Sequence, residues 1–539
     1  MFLRQLLKFT VLALTLIPSP GYGQLKNTRE PESATGIVFH DRNGNRVFDP
    51  GEKPLSGVCV SNGRDVVETD GEGRYQLSVT DDTILFVVKP NGWSLPVNEL
   101  NLPQFYYIHK PHGSPKRKFP GVPPTGSLPE SIDFPLRKSK ESRRFKVIIF
   151  GDIQVRNRAE IGYFTKDFID PLVESTAAFG ITLGDVVHNE LSLFGQVNEM
   201  VGKIGIPWYN TLGNHDLYAD AIDDKHRDEV FELHYGPTTY AFNYGNVHFI
   251  VLNNVQWLPR TGDSRRRRYK FGLTEDILAF VEQDLDRIPH DRLVVLIFHI
   301  PCVPCHDLKA LFSLVQRYDH TFSLAAHFHW QEHRFLGSEY GWMRPDLHHH
   351  LVHVAACGSR WAGSHDTRGV PHAMAKCGMP NGYSIIEFDG GSSGLFNGFV
   401  CSSANPGYSI RYMPAGHDSE YQMNISEPRL NDTGNAYLLY VNVFAGSSRS
   451  NVEIQLDDQG YWMLLSQVKE YDPTFQRLYR NEKSLNLPKP IASPHLWCFE
   501  LPRSLSTGYH LAHVRTTDMF GQTYESRRVF YIAGEKLRR

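Results

Sequence analysis

Between residues 145 and 400 the chain repeats one pattern seven times: a short apolar run that stops abruptly at a cluster of small or polar residues. The runs are FKVIIFGD, FGITLGD, WYNTLGN, HFIVLNN, LVVLIFH, TFSLAAH and LVHVAACGS. Each is too short for a helix and bounded by turn formers, so each reads as a buried strand. Amphipathic stretches lie between them. In TEDILAFVEQDLDRI, for example, Ile277, Val281 and Leu285 fall on one helical stripe. Strands alternating with helices imply an α/β domain whose functional groups gather at strand ends. A chain of 539 residues exceeds one ordinary core, and the pattern changes on both sides of this block.

Residues 34–94 are short β-like runs broken by turns, predicting a small N-terminal β-sandwich module. The stretch DRNGNRVFDPGEKPLSGVCVSNG, with TDGEGRYQL after it, resembles the prealbumin-like repeat modules of bacterial surface proteins. Within it Asp41, Asn43, Asn45, Asp49 and Glu52 take positions 1, 3, 5, 9 and 12 of a calcium loop, and a structural calcium is the ligand they suggest. The sixth position is Arg46 in place of glycine, and no helices flank the loop. Residues 95–144 are proline-rich and basic and read as a connector over the surface. Residues 401–539 return to β runs, a C-terminal β domain.

Residues 1–23 carry Arg4 and Lys8, an apolar stretch from Phe9 to Ile17, then Gly21 and Gly23, the pattern of a signal peptide cut after Gly23. The expectation is an exported protein, periplasmic or at the cell surface, with no further membrane span and no cysteine at the cut to take a lipid. Its seven cysteines are odd in number and sparse, so disulfides are allowed but do not frame the fold. A net charge of −3 gives no bulk attraction for nucleic acid or anionic membrane. The basic runs RRRRYK (265–270) and RRFK (143–146) read as solvated charge.

The strand ends carry the chemistry. GDIQ offers Asp152 and Gln154, GDVVHNE offers Asp185, GNHD offers Asn214, His215 and Asp216, FHIP offers His299, and AHFH offers His327 and His329. A carboxylate at the mouth of a buried strand is costly unless a cation or a set of donors receives it. Five such ends in one domain, all with oxygen or nitrogen donors, make a dinuclear metal site the economical explanation.

In order, context and spacing these motifs resemble the signature of the calcineurin-like metallophosphoesterases, in a bacterial exported branch with N- and C-terminal β-domains. The resemblance implies a metallophosphoesterase β-sandwich core flanked by helices. It implies one metal held by Asp152, Gln154, Asp185 and His329, and a second by Asp185 as bridge with Asn214, His299 and His327. His215 would meet the substrate and leaving group, oriented by Asp216. The reaction would be hydrolysis of phosphate mono- or diesters by metal-bound hydroxide. Physical chemistry agrees: a bridging carboxylate serves two ions roughly 3.5–4 Å apart, and water between them loses a proton readily. The segment 358–387 also resembles this branch, and within it Arg360, Asn381 and Tyr383 are candidate substrate contacts.

Gln154 stands where the family has histidine. A carboxamide oxygen favours harder ions, so among Mn, Fe, Zn and Mg the expectation is manganese. Ala326 replaces the glycine of Gly-His-x-His. CVPCH (302–306) matches a haem-attachment pattern but directly follows His299, which ties it to the metal site. His348, His349 and His350 have no ligand spacing and are expected to face solvent or pack. The rival to an enzyme is a catalytically lapsed surface-binding protein with calcium-bearing β-modules.

Overall fold

The computed structural model describes residues 32–219, 223–258, 269–389 and 407–533, with two short strands, Leu395–Phe396 and Phe399–Val400, between the last two spans. Residues 1–23, expected to be a leader, Cys401 and residues 265–268 of the basic run lie outside the described residues.

Two sheets form the centre. The first runs in the order Trp208–Asn210, Phe179–Thr182, Phe145–Phe150, Gly382–Phe388, Tyr408–Pro414. Its first three strands are parallel, with Val147 opposite Phe179 and Gly180 opposite Trp208. The second runs Tyr240–Tyr244, Val247–Val251, Leu293–Ile297, His320–Ala325, His348–Val352, Glu332–Leu336, parallel through its four middle strands. Leu293–Ile297 is buried at every residue, as the unbroken apolar run requires of a strand covered on both faces. All seven expected strands are present. The helix Glu275–Leu285 is capped by the Thr274 side chain, which accepts from Ile277 N at 3.2 Å, and it buries Phe280, Val281 and Leu285.

The flanks differ from the sequence expectation in two places. The connector supplies Tyr106–His109, paired with Thr83–Val87, and Phe134–Lys138, paired in parallel with Glu32–His40. Pro135 hid an ordinary alternation, in which Phe134 and Leu136 are buried while Arg137 and Lys138 are exposed. Strand Tyr408–Pro414, expected in the C-terminal domain, pairs over its whole length with Gly382–Phe388 and extends the first central sheet. The C-terminal domain proper is two antiparallel sheets around its own core of Leu439, Val441, Ile454, Trp497, Val514 and Phe530. No helix among the described residues is long and apolar enough to cross a membrane.

The N-terminal module shares one core with the central domain, with Phe86 edge-on to Phe280 at 5.6 Å. A buried ionic knot fastens the same junction. Lys110 Nζ meets Asp82 Oδ1 at 2.5 Å and Glu232 Oε2 at 3.1 Å, and it also pairs with Glu229. Asp82, His226 and Glu229 converge closely enough to hold a metal, but the Lys110 ammonium already pairs with both carboxylates of that cluster. Lys110→Met leaves three withdrawn carboxylates without their cation, so it should cost about 3–5 kcal/mol of stability. Urea denaturation measures this, and a loss below about 1 kcal/mol, the worth of an exposed pair, would contradict it.

Candidate metal centre

The donors leave the C-terminal ends of strands from both central sheets and meet at the seam between them. Asp152, Asp185 and Asn214 come from the first sheet, His299 and His327 from the second. Four of the expected ligands, Gln154, Asp185, His327 and His329, have left-handed backbone, with φ of 44°, 51°, 63° and 60°. Non-glycine residues adopt that region at a cost, and its clustering at strand ends marks a functional site. Two glycines allow the close approach. A Cβ on Gly184 would lie 2.6 Å from His299 Nδ1, and one on Gly213 would lie 2.3 Å from Asp185 Oδ1. Ala326 is fully buried and is not in the left-handed region, so nothing in this loop demands the glycine it replaces.

His299 is the hub. Its Nδ1 donates to Leu183 O at 2.8 Å, which turns Nε2 toward the site. Around Nε2 stand Asn214 Oδ1 at 3.1 Å, His327 Nδ1 at 3.2 Å and Asp185 Oδ2 at 3.4 Å. Burial lowers the basicity of this imidazole, but Asp185 outweighs it and His299 is pushed up to about 9. Burial and then the charge on His299 push His327 down to about 3, and burial followed by Lys376 pushes His329 down to about 4. Both therefore keep lone pairs to offer. Asp185, His299 and His327 lie close enough together that they could hold a divalent cation.

Asp152 gives the same indication. It is wholly buried; Oδ2 accepts from His327 N at 2.9 Å, while Oδ1 has no hydrogen-bond partner among the described residues and lies 3.7 Å from His329 Nε2. Burial pushes its carboxyl up to about 8, against the pull of His299. His329 Nδ1 donates to Gly358 O at 2.8 Å, leaving Nε2 for a ligand. Asp185 accepts from His215 N and from Gln154 Nε2, each at 2.7 Å. Burial alone would raise Asp185, but His299 and His215 hold it well below the usual carboxylate range. A buried carboxyl with an orphan oxygen, a second that stays ionised, and neutral imidazoles fit a pair of divalent ions.

Gln154 turns its amide nitrogen to Asp185, and its oxygen lies 3.8 Å from the Cys357 thiol. A carboxamide offers a donor at one end and an acceptor at the other, so in this orientation Gln154 steadies the Asp185 carboxylate.

His215 is held by a residue the sequence did not single out. Its Nδ1 bonds Asn189 Oδ1 at 2.7 Å, and its ring stacks on His188 at 4.2 Å. Asp216, expected to orient it, instead accepts from Gly213 N at 2.9 Å and Val187 N at 3.2 Å, tying the two ligand loops together. The reason is local: in a tight turn, neighbouring side chains point apart. Since Asn189 offers an oxygen, Nδ1 of His215 is the donor in this bond.

The expected substrate contacts fare differently. Asn381 is buried and donates to Ala356 O at 2.8 Å, while Tyr383 packs its ring against Phe150 and Phe168. Both are scaffold, because the segment that carries them enters the central sheet. Arg360 is exposed and bonds Asn486 Oδ1 at 3.1 Å. The three consecutive histidines are core residues. His348 bonds Ser323 at 2.7 Å, His350 bonds the same hydroxyl at 2.8 Å, and His349 bonds the Tyr408 hydroxyl at 2.6 Å. Cys302 is buried, Cys305 begins helix His306–Val315, and the six described cysteines are free.

In the N-terminal loop the five expected residues make hydrogen bonds within the loop. Asp41 accepts from Gly44 N and Arg46 N, Asn43 and Asn45 both donate to Asp49, and Glu52 accepts from Arg42 N and Asp49 N. Arg46, at the sixth position, takes the left-handed backbone (φ 67°) that glycine usually supplies there.

Three family models match the chain. Residues 41–121 match the N-terminal part of calcineurin-like phosphoesterases, 145–331 the calcineurin-like phosphoesterase domain, and 350–524 the C-terminal part. No curated protein matches. Among solved structures, a purple acid phosphatase, PPD1, from seeds of yellow lupin (Lupinus luteus) aligns over 71% of each chain at 13% identity with a TM-score of 0.34.

Proposed function

We propose, from the premise that this chain belongs to the calcineurin-like phosphoesterases and is a metal-dependent phosphoric ester hydrolase, that it is an exported enzyme acting on phosphate mono- or diesters through a manganese-preferring dinuclear centre. The observation that carries this reading is the convergence of Asp185, Asn214 and His327 on His299, beside the orphaned oxygen of Asp152. Asp152, Gln154, Asp185 and His329 would hold one ion; Asp185, Asn214, His299 and His327 would hold the other. Bound there, divalent ions supply Lewis acidity toward the phosphate and lower the pKa of water. His215, steadied by Asn189, stands ready to donate a proton from Nε2 to the departing oxygen. The leader at residues 1–23 supports export, and the Asp41–Glu52 loop supports a structural calcium. Metal analysis paired with hydrolysis of an aryl phosphate monoester and diester tests the reading. Two bound ions and turnover of at least one ester are expected; two bound ions without turnover of either would defeat it.

Gln154 tests the choice of metal. Imidazole nitrogen binds zinc more strongly than a carboxamide oxygen, which competes well only for harder ions. Gln154→His should therefore shift selectivity toward zinc by roughly tenfold or more. Since both side chains are neutral, substrate affinity should change less than metal preference. Reconstitution titrations with manganese and zinc measure this. Identical preferences in the two folded proteins would leave Gln154 only its hydrogen bond to Asp185.

A further inference from the structure

Among the withdrawn lysines of the described residues, one has no carboxylate at ion-pair distance. Lys89 pairs with Glu141, and Lys110 sits among three acids. Lys376, half-buried, donates from Nζ to the backbone oxygen of Phe328, at 3.2 Å, and stands over the Trp330 ring, 6.0 Å from its centroid. Among the described residues no acidic group reaches it at ion-pair distance. A cation partly removed from water without an anion is costly, and such a cost is tolerated where an anion arrives from outside.

Its position says which anion. The backbone of Lys376 donates to His329 O at 3.1 Å and its ammonium bonds Phe328 O, so the residue runs alongside the His327–His329 loop at the edge of the metal centre. Asp152 and His329 both feel its charge. Arg360 is near enough to repel it and is itself bonded only to a neutral amide, that of Asn486. Among the described residues neither cation makes an ion pair, although the Asp152 carboxylate attracts Lys376 from a distance. An ammonium has three donors, and the Phe328 carbonyl uses one.

We propose that Lys376 binds a phosphate oxygen of the substrate and makes this centre prefer dianionic phosphate monoesters to monoanionic diesters. This rests on the phosphoesterase centre described above and names its substrate class. Two divalent ions against Asp152 and Asp185 leave the centre positive, and Lys376 adds a further positive charge that a monoester answers more fully than a diester.

The test uses two substrates with one leaving group, 4-nitrophenyl phosphate and methyl 4-nitrophenyl phosphate, with the manganese-loaded wild type, Lys376→Gln and Lys376→Arg. Inorganic phosphate binding is followed by calorimetry and metal content by elemental analysis. Lys376→Gln should keep both ions, lower kcat/KM for the monoester roughly thirtyfold or more, and weaken phosphate binding in parallel, while the diester falls by less than about threefold. Lys376→Arg, which keeps the charge, should hold the monoester-to-diester ratio near that of the wild type; if the glutamine variant does not fold, this ratio decides. Equal losses on both esters, unchanged phosphate binding, or an arginine variant with the ratio reversed would overturn the proposal. Failure of the two-metal wild type to turn over either ester would defeat the phosphoesterase centre instead, and phosphate binding would still decide the role of Lys376.

Discussion

Asp185→Asn should abolish hydrolysis, with a loss of at least roughly four orders of magnitude, and should lower bound metal from two ions to one or none. Asp185 is the one carboxylate placed to face both ligand sets, with Oδ1 beside the His215 backbone and Oδ2 beside His299 and Gln154. Asparagine keeps the shape but removes the negative charge, and it turns an acceptor into a donor opposite the Gln154 amide nitrogen. His299 then loses the partner that raises its basicity. The apolar core is untouched, so the variant should fold. Elemental analysis and the aryl ester assay measure the effect together. A variant that retains two ions and near-normal turnover would show that Asp185 is not the bridge.

His215→Ala should keep both ions yet slow turnover by roughly two to four orders of magnitude for esters with poor leaving groups, the range for a lost general acid. An activated aryl ester should suffer less, because its leaving oxygen needs little protonation. The contrast between alkyl and aryl esters is the measurement. Equal losses for both would mean that His215 acts on the charge of the phosphate and not on the departing oxygen. Asn189→Ala should produce a weaker version of the same contrast, since it removes the acceptor that fixes the ring.

The cluster of donor residues was legible because the sequence carries two coupled signals at each of them: an apolar run that must be a strand and a donor residue at its end. Asp185, Asn214, His299 and His327 meet within bonding range of one ion although more than 140 positions separate the first from the last. Asn189 was not legible as the partner of His215. Asp216 is adjacent in sequence, and only the turn geometry sends its carboxylate to Gly213 and Val187. Lys376 carries no motif; that it makes no ion pair among the described residues is visible only in the packing. The end of the central domain was misplaced for a related reason. Tyr408–Pro414 is a strand by pattern, but pairing with Gly382–Phe388, rather than composition, assigns it to the first sheet. The proline-rich stretch concealed Phe134–Lys138 because Pro135 reads as a breaker, whereas its neighbours Phe134 and Leu136 still bury one face. Which end of Gln154 faces the centre also escapes the sequence, since both ends of an amide are plausible partners for something.

Anomalous diffraction from crystals grown with manganese tests the dinuclear centre most directly. Two anomalous peaks are expected, one on each side of the Asp185 carboxylate, the first bounded by Asp152 and His329 and the second by Asn214, His299 and His327. A single peak, or peaks elsewhere in the molecule with none at Asp185, would contradict a two-metal phosphoesterase built on these residues.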